Sequence, residues 1–375
     1  MPFVLIRLAR EFLHEIQRPR LAPLVGGLLT VGAVLVIADH RLTLESLRNV
    51  PLSAVLGNET DGNTRAIWVL AARRDTNGPS FIAIGGSVLW RALDDEPAIL
   101  ERFHASGVDK VPYVPLLISN ETLTETLALL TTLEAPAGSV VVANMSPMRL
   151  SMPVEVAESE ARFPRLPLLD YSEVLRLLAE QGHIVHQPPE LWRLRGWLSI
   201  YLTQRLGEAL YDCAHRDLEA GAPFACASRL LIASRRRVTS LKYRTYPDTA
   251  LPIELKRTEA RELSLQLLAQ EHTVPLFGEA VARRIEDVCR RRGWRIVWVR
   301  LPVDPLARNA EQFLDHNVDE TLDLPRQGNT TELDLRVMPF GSSDFIDLHH
   351  LRAGGASIVT DSIVARVTSI LRTTL

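Results

Sequence analysis

Two short segments of this 375-residue chain hold residue types that, brought together, can do acyl chemistry. Residues 81–87 read FIAIGGS, an apolar run followed by two glycines and Ser87. A helical period begins at Val88, so the pattern predicts a buried strand turning sharply into a helix with the serine at its start. In parallel α/β sheets that strand end is where ligands bind. Open N–H groups at a helix start favour developing negative charge. Glycines let a second backbone or a substrate approach closely. A serine in this place is also an ordinary helix N-cap, and the segment lacks the G-x-S-x-G pattern of a nucleophile elbow.

A serine hydroxyl is a weak nucleophile alone and needs a base. Residues 347–350 read DLHH. Asp347 and His350, three apart, can meet on one side of a turn. The carboxylate then fixes the imidazole tautomer and leaves the other ring nitrogen for a hydroxyl. His349 competes for the base role but stands two from Asp347. Asp344, six before His350, is a rival for the orienting carboxylate. A surface helix start with a solvated Asp and His has the same local pattern.

Bringing residue 87 to residue 350 requires a fold that returns its C-terminal end to its first strands. The periodicities describe one. IWVLAA (67–72), FIAIGG (81–86), VPYVPLLI (111–118), SVVVAN (139–144) and WRIVWVRLP (294–302) read as strands, the third marked by its prolines as an edge or a short strand. Helical periods lie over 88–107, over 122–133 behind a Thr122/Glu125 capping box, over 278–293 closed by Gly293, and over 356–375. RVMPFGSSDFIDLHH reads as a short strand passing into a loop. The alternation predicts an α/β domain with a mostly parallel sheet and helices on both faces. From about 150 to 277 helical segments follow one another without strands, which reads as a helical insertion of the kind that builds a lid or a partner surface.

The two segments together resemble the SGNH, or GDSL-like, superfamily of hydrolases and acyltransferases. In that family a nucleophilic serine follows the first strand in a Gly-rich block, here IAIGGSVLWRAL. An Asp and a His three apart lie near the C-terminus, often as D-x-x-H-L-N-x-x-G-A, here DLHHLRAGGA with Arg352 in place of the usual Asn. The resemblance covers roughly 66–150 and 278–375 and leaves out the middle helices. It implies a flavodoxin-like three-layer α/β/α sandwich, with Ser87 as nucleophile, His350 as general base and Asp347 as its orienter. It also implies an oxyanion hole built from the serine N–H, a glycine after the second strand and an asparagine after the third. Asn144 directly follows SVVVA and fits the third position. After VPYVPLLI stand Ser119 and Asn120 instead of a glycine, so a backbone N–H of either would have to serve. NMSPMRLS differs from the G-x-N-D form of secreted esterases and looks closer to membrane-anchored members linked to envelope polymer modification. This chemistry calls for no metal or organic cofactor.

Residues 21–38 read LAPLVGGLLTVGAVLVIA, without a charge. At about 1.5 Å per residue they reach about 27 Å, enough for a hydrocarbon core. Arg7, Arg10, Arg18 and Arg20 precede them against Glu11 and Glu15, which puts that end in the cytoplasm. The resulting organisation is an amphipathic cytoplasmic segment (1–20), a single transmembrane helix (21–38), a linker (39–65) and a domain (66–375) on the periplasmic side of a bacterial inner membrane. A cleaved signal peptide is the alternative, but no A-x-A site follows Ile37.

Composition narrows the function classes. With 46% hydrophobic and 23% charged residues the chain is an ordinary globular one. A net charge of -3 excludes a strongly basic nucleic-acid binder. Cys213, Cys226 and Cys289 form no C-x-x-C, so neither a disulfide framework nor a zinc pattern is present. His183 and His186 lack an adjacent acidic third ligand and are not read as a metal site. Arg290–Arg292 read as a solvated helix face, and Arg235–Arg237 as a run that suits an acidic polymer. Trp192, Trp197 and Tyr201 fit a core or a sugar-stacking surface. The expectation is an acyl esterase or O-acyltransferase, acetyl being the first choice of acyl group, acting on an envelope or exported polysaccharide beside other membrane subunits. The alternatives are a catalytically silent polysaccharide-binding or scaffolding module of the same fold, and a soluble α/β domain without ester chemistry.

Overall fold

A computed structural model describes residues 78–166, 168–186, 248–269, 276–308 and 328–374, together with the isolated positions 33, 66, 69 and 70. Its strands are β1 (Phe81–Gly85), β2 (Tyr113–Leu117), β3 (Val140–Asn144), β4 (Arg295–Arg300) and β5 (Thr330–Asp334). They form one sheet in the order β2-β1-β3-β4-β5, and every neighbouring pair is parallel. Parallel strands covered on both faces read as unbroken apolar runs. FIAIG and VVVAN are such runs, and both strands are buried throughout.

Successive strand residues point to opposite faces, and the core divides accordingly. Ile82, Ile84, Val141, Ala143 and Trp298 join one cluster; Phe81, Ala83, Val140, Val142 and Val299 join the other. The first face is covered by α3 (Leu123–Thr132), α5 (Val154–Arg162), α6 (Ser172–Glu180) and α8 (Leu276–Arg291). The second is covered by α1 (Ser87–Ala92), α2 (Glu96–Ala105) and the long C-terminal α9 (Ala353–Thr374). A short α4 (Pro147–Leu150) follows β3, and α7 (Ile253–Ala269) packs through Ala260 and Leu263 on Ala307 and Leu348.

Several elements stand where the residues placed them. β2 is at the sheet edge, as Pro112 and Pro115 require. The Thr122/Glu125 capping box forms, with reciprocal bonds of 3.2 Å. Gly293 follows α8 with a left-handed φ of 68°. Three readings are corrected. Val69 and Leu70 are helical and buried, because a short apolar run has no period to separate a buried helix from a buried strand. The helical stretch after Ser87 is two helices; Asp95 caps the second and accepts from the Ala98 N–H at 3.1 Å. The last strand is TTELD (330–334), ahead of RVMPF; as a half-exposed edge it has no apolar signature.

Within 150–277 the described residues hold helices and no strand. α5 and α6 belong to the core of the sheet itself. Residues 187–247, with Trp192, Trp197, Tyr201, Cys213, Cys226 and Arg235–Arg237, lie outside the described residues. So do residues 21–38, position 33 apart, and the linker 39–65. Among the described residues no helix is long and apolar enough to cross a membrane.

One close approach seats the segment after β3. A Cβ on Gly278 of α8 would fall on the carbonyl of Leu150 in α4, so glycine alone fits there. Gly278→Ala is therefore expected to lower stability by about 2 kcal/mol through overpacking, read as a lower urea midpoint. An unchanged midpoint would mean that α4 yields freely.

Candidate active site

The chain leaves β1 for β2 on one side and returns to β3 on the other. The helices flanking this reversal diverge, opening a crevice beyond the carboxyl ends of β1 and β3 where open α/β sheets take ligands. Gly85 ends β1, Ser87 begins α1, and Asn144 ends β3. A cavity of about 540 Å³ lies there, lined by Ser87, Asn120, Asn144 and His350 among others.

The loop before α9 brings the second half of the site. His350 Nε2 stands 2.9 Å from Ser87 Oγ, and His350 Nδ1 stands 2.6 Å from Asp347 Oδ2. An ionised carboxylate only accepts, so Nδ1 has the proton and Nε2 presents its lone pair to the serine hydroxyl. The other oxygen, Asp347 Oδ1, accepts the backbone N–H groups of His349 and His350, each at 2.8 Å. Burial alone would raise the Asp347 carboxyl; the His350 ring and these two N–H groups outweigh it and hold the carboxyl well below its usual range. Ser87, His350 and Asp347 thus form one hydrogen-bonded line.

The rivals have other tasks. Asp344 Oδ2 accepts from the Gly341 N–H at 2.8 Å and so caps its own turn. His349 lines the cavity, while its N–H serves Asp347. Arg352 donates to the carbonyls of Asp248 and Ser343 and fastens the start of α9.

The triad loop is held by a buried cation that sequence reasoning missed. Lys256 of α7 is 1% exposed and spends all three donors: on Asp304 Oδ2 at 3.0 Å, on the Ser342 carbonyl at 2.6 Å and on the Phe345 carbonyl at 2.8 Å. Asp304 also accepts from Ser342 Oγ at 2.6 Å, and its N–H donates to the Leu348 carbonyl at 2.9 Å. Nothing in IELKRTEARE marks this lysine as different from its exposed neighbours.

On the opposite wall, Asn144 Oδ1 packs where a Cβ on Gly85 would be. This explains the first glycine of the GGS triplet. Of Ser119 and Asn120, which follow β2 beyond Ile118, Asn120 lines the cavity and Ser119 does not. Asn120 has a left-handed φ of 53°. That is a glycine conformation, and Asn is among the few other residues that adopt it readily. Arg165 fixes this turn by donating to the carbonyls of Ser119 at 3.0 Å and Asn120 at 2.6 Å. α1 has only six residues, so its dipole is small; what it offers is the Ser87 N–H, which has no acceptor within the helix.

Behind this wall lies a network of buried charges. Arg149 of α4 bonds Asn144, Thr122 and Thr126, and Glu121 stands 3.6 Å away. Glu121 and Arg149 also line the cavity, and neither was singled out from the sequence. The available signal was an arginine inside an otherwise apolar stretch, MSPMRLSM. Burial pushes the Glu121 carboxyl up to about 7 against the pull of Arg149 and the Thr126 hydroxyl. Burial and the Glu125 charge do the same to Glu160, also to about 7, against hydrogen bonds from Thr124 and Thr122.

The remaining candidates are placed outside this chemistry. His183 Nδ1 pairs with Glu158 at 2.6 Å, and no group of His, Cys, Asp and Glu suited to a metal occurs among the described residues. Cys289 is buried, and burial raises its thiol. The run Arg290–Arg292 is more than a solvated face. Arg291 pairs with Glu173 at 2.8 Å, and Arg292 lies 5.0 Å over the Trp294 ring while bonding the carbonyls that end α3. No family model and no curated protein matches the chain.

Glu160 yields a pH prediction. Its folded pKa lies above its unfolded value, so its contribution to stability is complete below about 4.5 and is lost as pH rises through about 7. Glu160→Gln keeps the acceptor oxygen without the charge. The variant is expected to gain on the order of 1–2 kcal/mol over the parent between pH 5 and pH 8, read from denaturant melts. A difference that does not change with pH would contradict it.

Proposed function

We propose that this chain is an acyl esterase or O-acyltransferase of the SGNH type, with that family's flavodoxin-like fold, acting through an acyl-Ser87 intermediate. The observation that supports it is the line Asp347–His350–Ser87. Ser87 and His350 lie 263 residues apart in sequence and meet at 2.9 Å. A serine that only capped a helix would need no imidazole at its hydroxyl.

The steps follow from the placement. Ser87 Oγ attacks the acyl carbon while its proton passes to His350 Nε2, and the ionised Asp347 stabilises the imidazolium. The carbonyl oxygen becomes an oxyanion facing the Asn144 amide, the Ser87 N–H and the backbone at Asn120. Collapse breaks the bond to the alkoxy oxygen, which leaves with the proton from His350. A second nucleophile, deprotonated by the same nitrogen, then attacks the acyl carbon; the bond to Ser87 Oγ breaks and the serine leaves with the proton from His350. Water completes hydrolysis, and a sugar hydroxyl completes transfer.

The substrate is an acylated envelope or exported polysaccharide, reached by a domain held on the periplasmic side of a bacterial inner membrane. Supporting this placement are the uncharged run 21–38 and the arginines before it. Such an anchor also puts the domain beside other membrane subunits of an envelope complex.

Incubation of the full-length chain with a fluorophosphonate is expected to label Ser87, as read by peptide mapping. Ser87→Ala should abolish the label with the melting temperature nearly unchanged, and His350→Ala should slow labelling by about 10²-fold or more. A folded chain that takes no label would instead be a silent binding or scaffolding module. For the anchor, alkaline phosphatase fused after Leu375 should be active in whole cells; a reporter active only in the cytoplasm would sink it.

A further inference from the structure

An asparagine amide has two ends of nearly equal shape. Only the nitrogen end can donate to an oxyanion; turned over, the side chain presents a partly negative oxygen to it. The backbone at the end of β3 does not choose between them. We propose that Arg149 makes the choice: it is a positioning residue that clamps the carbonyl end of the Asn144 side chain and so aims Nδ2 into the site, with Glu121 as its buried counter-charge. The proposal rests on the acyl-transfer reading only for its effect on rate.

The geometry is specific. Arg149 Nη1 donates to two oxygens of the same residue, the Asn144 carbonyl at 2.6 Å and Oδ1 at 3.0 Å. A guanidinium has donors and no acceptor, so the atom facing it must be the oxygen. Nδ2 is thereby turned to the other side of a residue that lines the cavity. The second guanidinium nitrogen, Nη2, donates to Thr126 Oγ1 at 2.8 Å and to the Thr122 carbonyl at 3.3 Å, anchoring the clamp to the start of α3. The Thr126 hydroxyl passes its own hydrogen on to Glu121 Oε1. The Arg149 side chain is 9% exposed and that of Glu121 is 0%. A flipped amide would set two donors against each other.

A guanidinium placed only to join α4 to α3 would need the threonine contacts and not the amide oxygen. Gly85 points the same way. Its missing Cβ leaves room for Oδ1 in the position that Arg149 bonds.

The test uses the full-length chain with 15N-labelled asparagine, the Asn144 side-chain NH2 pair being assigned by its loss in Asn144→Ala. Arg149→Met is compared with Glu121→Gln/Arg149→Met, which leaves no uncompensated buried charge and keeps a folded variant available. In both, the Asn144 amide should lose its order by 15N relaxation. With 4-nitrophenyl acetate, kcat should fall about 10²-fold at unchanged KM, the scale of a lost oxyanion donor. Adding Asn144→Ala should bring no further loss, and Arg149→Lys should restore part of the rate by offering one charged donor to Oδ1. An amide that stays ordered in the folded double variant overturns the clamp whatever the activity, and so do rate losses that simply add. If the parent neither turns over the ester nor takes a label on Ser87, the acyl-transfer reading fails, and the amide order alone decides on Arg149.

Discussion

A charge taken out of water must be surrounded by partners, or the fold does not tolerate it. Around Lys256 that requirement fixes the geometry of the whole C-terminal loop. One ammonium gathers a carboxylate from the segment after β4 and two carbonyls from the turn before Asp347. The loop also buries Phe340, Phe345, Leu348 and Leu351, which seat it on the core. The satisfied cation and these apolar anchors together hold His350 at a set distance from a serine on the far side of the sequence. Arg149 does comparable work on the opposite wall, where it joins the end of β3 to the start of α3. The crevice lies between two buried cations, each contributed by an element outside the sheet.

This arrangement is preorganised in the sense that matters for acyl transfer. In the proposed reaction the partners of developing charge are already held by bonds made elsewhere, so little reorientation would be left. Asp347 shows the principle most fully: three donors hold it ionised. The imidazole tautomer that a serine requires is therefore set before any substrate arrives.

How far the residues foretold this depended on whether a local pattern expressed the physics. FIAIG and VVVAN are apolar because both sheet faces are covered, so β1 and β3 were legible, and with them Ser87 and Asn144 at their ends. The three-residue spacing of Asp347 and His350 allowed a contact within one turn, and the resemblance of the two blocks singled the pair out from a solvated one. β5 was not, because an edge strand half in water has no need of an apolar run. Asn120 and Ser119 could not be separated by residue type; a left-handed φ separates them, and that property appears only when the chain is folded. Lys256 and Arg149 were missed for a related reason. A buried cation is recognised by partners that lie far away in the chain, and nothing local announces them.

The edges of the sheet bear on how such a domain can assemble with others. On β2 the residues whose backbone groups turn toward β1 alternate from Pro112 to Ile118, so those between face outward, and Pro115 is among them. Proline removes one of the donors that an incoming strand would seek. At the other edge, β5 offers Glu332 and Asp334, whose charges discourage a flat apolar partner. Neither edge is a good template for extending the sheet into another molecule. The fold is thereby guarded against strand-mediated aggregation in a crowded compartment, and any stable companion of the described domain would have to engage its helical layers or its loops.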